Sequence, residues 1–226
     1  MLSEVFIYVG ISLGALLPIV NPLSVAPVFL SLTGGDLRNS RRQHARRAAI
    51  YTACILLTCL VAGAMILRFF GITLPILRIG GGLVVTRVGF GMLNPPANPP
   101  VSESEHANAE EFSDVAFTPI SMPLLAGPGS IAATIAMATE ATSVASHIGI
   151  GIGIVILSVI VWIVLRSSTF VLDLIGSTGM NIVTRLMGLV LVCIGVSFVM
   201  TGFLQGLTSE PVTGLLQEWL RALQVT

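Results

Sequence analysis

Three stretches of this chain, residues 48–67, 148–165 and 186–204, run without a single charged side chain. A helix needs about 20 mostly apolar residues to cross the hydrocarbon core of a bilayer, and a stretch of 18 or more with no charge is a candidate span. All three qualify. A fourth stretch, 115–138, is also charge-free but holds Pro119, Pro123 and Pro128. A fifth, 5–32, holds Pro18, Pro22 and Pro27, and a sixth, 73–93, is rich in glycine and carries Arg78 and Arg87. Hydrophobic residues make up 54% of the chain and charged ones 10%, where a soluble domain carries about 25% charged residues. So few polar side chains cannot cover a water-facing surface, and the excess apolar surface must face lipid. The expected fold is an all-α membrane protein of six transmembrane helices, with the lipid bilayer as its first partner. The formal net charge is zero, which gives no basis for a nucleic-acid partner.

Loop charge sets orientation. Arg38, Arg41, Arg42, Arg46 and Arg47 lie between the first two spans, so that loop is expected in the cytoplasm and both termini in the periplasm. The N-terminus carries Glu4 and no basic segment, and its apolar run outlasts a leader, so it reads as a span. Four regions follow: a first three-helix unit over 1–93, a cytoplasmic acidic and proline-rich linker over 94–114, a second three-helix unit over 115–205, and a periplasmic amphipathic tail over 206–226. In the tail Leu215, Leu216, Trp219, Leu220 and Leu223 share one helical face. That face suits either the membrane interface or the rim of the protein.

The most informative pattern is internal. Residues 18–27 read Pro-Ile-Val-Asn-Pro-Leu-Ser-Val-Ala-Pro and residues 119–128 read Pro-Ile-Ser-Met-Pro-Leu-Leu-Ala-Gly-Pro. The three prolines of one string match those of the other at a constant offset of 101. A second echo, Arg78-x-x-Gly81 and Arg185-x-x-Gly188, has an offset of 107. Two units of three spans each must enter the membrane from opposite sides. That is a 3+3 inverted-topology repeat with broken first and fourth helices, an arrangement common in secondary transporters.

Proline inside a helix removes a donor and clashes with the preceding turn. Freed main-chain groups cannot be left facing lipid. The breaks near Asn21–Ser24 and near Gly127–Ser130 are therefore expected to face the interior and each other. A half-helix restarting at Ser24 or Ser130 offers unpaired N–H groups and a positive dipole end, suited to a carboxylate. The preceding halves would end in free carbonyls near Val20 and Ala126, suited to an ammonium group or a cation. The candidate substrate-binding residues are Asn21, Pro22, Ser24, Ser121, Gly127, Pro128, Gly129 and Ser130, with Thr118 as a further hydroxyl.

Arg87 is the candidate intramembrane charge, either functional or reaching to the headgroups. Arg78 and Arg185 read as headgroup anchors at span entrances. The glycines Gly80, Gly81 and Gly82 read as packing positions, and Gly149, Gly151 and Gly153 suggest no chemistry. Cys54, Cys59 and Cys193 sit in apolar stretches, and no disulfide framework, metal site or other cofactor is expected. No nucleophile–base set or paired carboxylates can be assembled, so an enzyme is not expected.

These strings resemble the MarC family of six-span bacterial inner-membrane proteins, which includes small neutral amino acid transporters of the SnatA type. The carriers are Leu17 to Leu23, Pro123 to Ile131, Phe70-Gly71-Ile72 with Leu77 to Gly82, and Arg185 to Gly195. The chain is more similar to the MarC branch than to the amino acid transporter branch. It departs from the transporter pattern at Ser24 and Val25, and from the MarC pattern at Gly91, where an arginine is usual. The resemblance and the breaks together imply a transporter of a small neutral solute, such as an amino acid, working by alternating access. A channel-like facilitator or a non-transporting scaffold or sensor stays open, as do the coupling ion and a homo-oligomer.

Overall fold

The computed structural model describes residues 1–33, 38–94 and 116–208. The linker, but for Asn94, and the amphipathic face beyond Pro211 lie outside the described residues. Among those described, every regular element is helical.

Helix α1 (Leu2–Val20) stops at Asn21, which takes up a left-handed conformation (φ 41°, ψ 65°). Asparagine is one of the few side chains that tolerate that region. The next residue, Pro22, has no N–H with which to extend α1, and it starts α2 (Pro22–Leu32) at the first helical position that proline favours. Pro18 and Pro27 break nothing. They stand inside α1 and α2, and each leaves only the carbonyl four residues earlier without its usual donor. The long helix α3 (Arg38–Phe69) and α4 (Leu74–Leu93) complete the first half.

The second half begins differently. The Ala116–Leu125 segment is not a regular helix: Thr118 and Met122 are extended, and the peptide bonds to Pro119 and Pro123 are cis. A residue preceding proline is pushed toward extended backbone, and two such residues within ten leave no room for helical turns. The expected half-helix ending near Ala126 is thus replaced by irregular chain. Regular structure resumes with α5 (Pro128–Glu140), bent by 61° from the segment before it. Then follow α6 (Val144–Arg166), started by a reciprocal Ser143–Ser146 capping box, and α7 (Ser168–Leu207), interrupted at Gly176 (φ 69°, ψ 171°).

Helices α1, α3, α4, α6 and α7 are each long and apolar enough to cross a membrane, and the bent Ala116–Leu125/α5 pair supplies a sixth span. The α2 helix, at eleven residues, covers only about 16 Å, so the expected span over 5–32 divides into one crossing and a short addition. Many large apolar side chains face outward, among them Val61, Met65, Val155, Val159 and Leu189. This is a multi-pass, all-α membrane protein.

Small residues let the helices approach closely. Helix α6 lies at the centre, burying Gly149, Ile150, Gly153, Ile154, Leu157 and Val161 on one stripe. A Cβ on Gly149 would stand 2.7 Å from Tyr8 Cβ and 2.8 Å from the Val5 carbonyl oxygen, so this glycine admits α1. Gly153 admits Ser12 and Val9 in the same way. Helix α4 packs antiparallel along α7. The α3 helix packs against α6, α5 and the Ala116–Leu125 segment.

Candidate functional site

Two cavities adjoin, and each holds one break. The first, about 290 Å³, is lined by Asn21 and Ser24 together with Gly91, Met92 and Thr184. The second, about 260 Å³, is lined by Gly127, Pro128, Gly129 and Ser130. Ile19, Val88, Leu124 and Leu191 line both, so the two cavities share an apolar boundary. The breaks touch across it: a Cβ on Gly129 would lie 3.4 Å from Ile19 Cγ2.

The two helix starts are chemically unequal. In α2 the Asn21 side chain caps the helix, accepting from the Ser24 N–H at 3.4 Å, while its Nδ2 points to Met92 Sδ at 3.9 Å. Ser24 Oγ lies 3.5 Å from Thr184 Oγ1 on α7. In α5 no side chain caps the start. The first-turn N–H groups of Gly129 and Ser130 have no intrahelical acceptor, and Ile131 is the first to bond back, to the Gly127 carbonyl at 3.0 Å. A glycine is needed at 127, where a Cβ would stand 2.6 Å from the Pro123 carbonyl oxygen. At Gly129 a Cβ would stand 2.5 Å from Val85 Cγ2, so this glycine gives room to a side chain.

Not every predicted residue reaches the cavities. Pro22 is buried but lines neither. Ser121 is fully buried, and its hydroxyl lies 2.6 Å from the Ala116 carbonyl oxygen and 3.0 Å from that of Ala48. It ties irregular chain to α3. The Ser130 hydroxyl lines the second cavity but lies 3.0 Å from the Gly127 carbonyl and 3.3 Å from that of Leu125, leaving its main-chain N–H as the offered group. Thr118 is absent from both linings.

The charged residues sort against expectation. Arg87 is exposed on the outer face of α4 and reaches neither cavity. Arg78 is buried, not anchored at the surface: its guanidinium pairs with Glu140 at the end of α5, and one terminal nitrogen is enclosed without a partner. Nine residues separate the two arginines, two and a half turns, so one must face in if the other faces out. Arg78 shares its face with Gly81, Gly82, Val85 and Gly89, a spacing that could have identified it. Met92, Thr184, Val88 and Leu191 were not singled out, because only the approach of α4 and α7 brings them to the breaks.

A family model described as "MarC family integral membrane protein" matches residues 5–207. The chain is 37% identical over 220 residues to inner membrane protein MarC of Citrobacter koseri, covering 90% of this chain and 97% of that one. It is 36% identical over 219 residues to the protein of that name in Salmonella typhimurium, with the same coverage. For the Escherichia coli O1:K1 protein of that name the identity is 35% over 213 residues, covering 89% and 96%. No solved structure matches this chain. With its six candidate spans and near full-length similarity to these relatives, the chain belongs to the MarC family of integral membrane proteins.

Proposed function

We propose that this protein sits in the bacterial inner membrane and is a secondary transporter of a small neutral solute, an amino acid being the best fit. The observation that carries the reading is the pair of adjoining cavities, each built on one helix restart and sharing four apolar side chains. Their volumes of about 260 and 290 Å³ fall just below the roughly 300–1,000 Å³ of sites for drug-sized ligands, which favours a glycine, alanine or serine. The free N–H groups of Gly129 and Ser130 suit a carboxylate. The carbonyl end of α1 at Ile19 and Val20, beside Asn21, suits an ammonium group.

Alternating access of two inverted repeats fits the packing. Pro22 and Pro128 both take the first helical position, Asn21 and Gly127 both precede it, and Ser24 and Ser130 both follow by two. The offset is 106, not the 101 of the proline strings. Exchange of the halves at that offset carries the contact of Gly82 with Gly195 onto that of Gly188 with Gly89, both of which exist. It likewise carries the packing of α1 on α6 onto the packing of the fourth span on α3. The arginines of the first loop and Arg166 favour a cytoplasmic placement for that end, with both termini periplasmic.

Uptake of labelled glycine, alanine and serine into reconstituted liposomes tests the proposal. Saturable uptake with counterflow is expected, abolished by Asn21→Ala and by Gly129→Leu without loss of membrane insertion. Linear, unsaturable flux would point to a facilitator. No flux of any of the three by correctly inserted protein would sink the transporter reading.

A further inference from the structure

Away from the breaks, arginines gather where α2 ends, α3 begins and α6 passes into α7. Arg41, Arg42 and Arg166 line a cleft of about 610 Å³ together with Thr169 and, among the described residues, one carboxylate, Asp173. Arg41 is held in place by bonds from its terminal nitrogens to the Thr33 carbonyl (3.1 Å) and Thr169 Oγ1 (3.3 Å). Its Nε is enclosed without a partner, as is the Ser168 hydroxyl at the start of α7. None of Arg41, Arg42, Arg46 and Arg166 is paired with a carboxylate among the described residues. Among the described residues, three guanidiniums stand against one carboxylate beside a helix start, which makes a site of positive potential.

A second cavity lies on the outer surface between α3 and α6, one helical turn away along both helices. This groove, about 350 Å³, is lined by Arg46, Ile50, Ala53, Val155, Val159 and Trp162. Arg42 and Arg46 are one turn apart on α3, and Trp162 and Arg166 one turn apart on α6, so arginines head the groove from both walls. Arg166 of the cleft stands over Trp162 of the groove, its guanidinium carbon lying 5.2 Å from the ring centroid. From Arg46 to Ala53 the groove descends about 10 Å at 1.5 Å per residue, a depth that suits the upper part of an acyl chain. Tryptophan at the headgroup level is the usual marker of such a boundary.

We infer that the Arg41/Arg42/Arg166 cleft and the α3–α6 groove together form a binding site for an anionic phospholipid, its phosphate among the arginines and one acyl chain along Ile50, Ala53 and Val155. Charge selects the lipid: a zwitterionic headgroup would bring its own ammonium against the guanidiniums. Basic pockets between membrane helices bind anionic headgroups for this reason. The inference is independent of the transport reading.

Native mass spectrometry of the full chain in non-ionic detergent, titrated with phosphatidylglycerol, cardiolipin or phosphatidylethanolamine, tests it. The anionic lipids should be retained at least about tenfold better, each arginine contributing about fivefold. Substituting Arg42→Gln, Arg46→Gln and Arg166→Gln together, which leaves only Arg41, should cut that preference to about fivefold or less. Ala53→Trp, which fills the groove, should weaken lipid binding while leaving the binding of glycerol phosphate unchanged. Equal retention of all three lipids by the unmodified protein overturns the site, whatever the variants do. So does an unchanged preference in the triple variant. If glycerol phosphate binds as tightly as the lipid and Ala53→Trp has no effect, the cleft takes a free phosphate compound. If Ile50→Cys crosslinks copies of the chain and no lipid is retained, the groove is a subunit interface.

Discussion

Gly82 on α4 and Gly195 on α7 approach so closely that a Cβ on either would stand 2.6 Å from the carbonyl oxygen of the other. The relation recurs every seven residues: Gly89 meets Gly188 in the same way, and Pro75 meets Gly202. Real Cβ atoms do not sit so near a carbonyl oxygen, so a side chain at any of these glycines must push the helices apart. Gly82→Ala should therefore cost about 1–3 kcal/mol, the range for overpacking a filled interior. Gly80→Ala, at a glycine with nothing within 4 Å, should cost nothing measurable. Thermal unfolding followed by size-exclusion chromatography in detergent separates the two.

The Arg78–Glu140 pair is lopsided, with side chains 8% and 47% exposed. Removing the carboxylate leaves a buried guanidinium without a counter-charge, whereas removing the guanidinium leaves a half-exposed carboxylate that water can solvate. Glu140→Gln should destabilise by about 1–3 kcal/mol, below the 3–5 kcal/mol typical of a fully buried pair because one partner is screened. Arg78→Met should cost less. Denaturation of both single variants and the double variant gives the coupling; equal costs for the two singles would show that Arg78 is hydrated.

Asn21 does two separable jobs. Its backbone is left-handed, and its side chain accepts from the Ser24 N–H. Asn21→Gly keeps the backbone free of strain and should lower stability by only a few tenths of a kcal/mol. Asn21→Ala adds the left-handed penalty and loses the cap, for a total of about 2–3 kcal/mol. Both lose the Nδ2 donor, so both should lose saturable uptake in the liposome assay. A transport loss confined to the alanine variant would make Asn21 a structural residue only.

Ser121 should behave oppositely. Its buried hydroxyl joins Ala116 to Ala48 and lines neither cavity. Ser121→Ala should lower stability by about 1–3 kcal/mol, since buried carbonyls lose their donor, while leaving the KM for solute unchanged. A raised KM in a protein of normal stability would return Ser121 to the binding site.

Much of the architecture was legible in the string of residues because the bilayer simplifies the physics. Helices at 48–67, 148–165 and 186–204 follow from the need to satisfy every main-chain group within the segment, and α3, α6 and α7 contain them. Breaks near Asn21 and Gly127 follow from proline's missing N–H. What misled was repetition by letter: the proline triplets align at 101, yet the helices restart at Pro22 and Pro128, and the Arg78 echo lands on Arg185, which is exposed.

The sequence by itself determined that the chain spans a membrane as helices, where most of those segments lie, and that the chain breaks near Asn21 and near Gly127. These are local matters, set by transfer free energy and by the covalent geometry of proline. Only the tertiary structure decided which proline begins a helix, which arginine turns inward, and which hydroxyls are spent on carbonyls. Those outcomes depend on the phase of one helix against another, fixed by contacts such as Gly82 on Gly195 between residues distant in the chain, where a rotation of half a turn exchanges a lipid-facing side chain for a buried one.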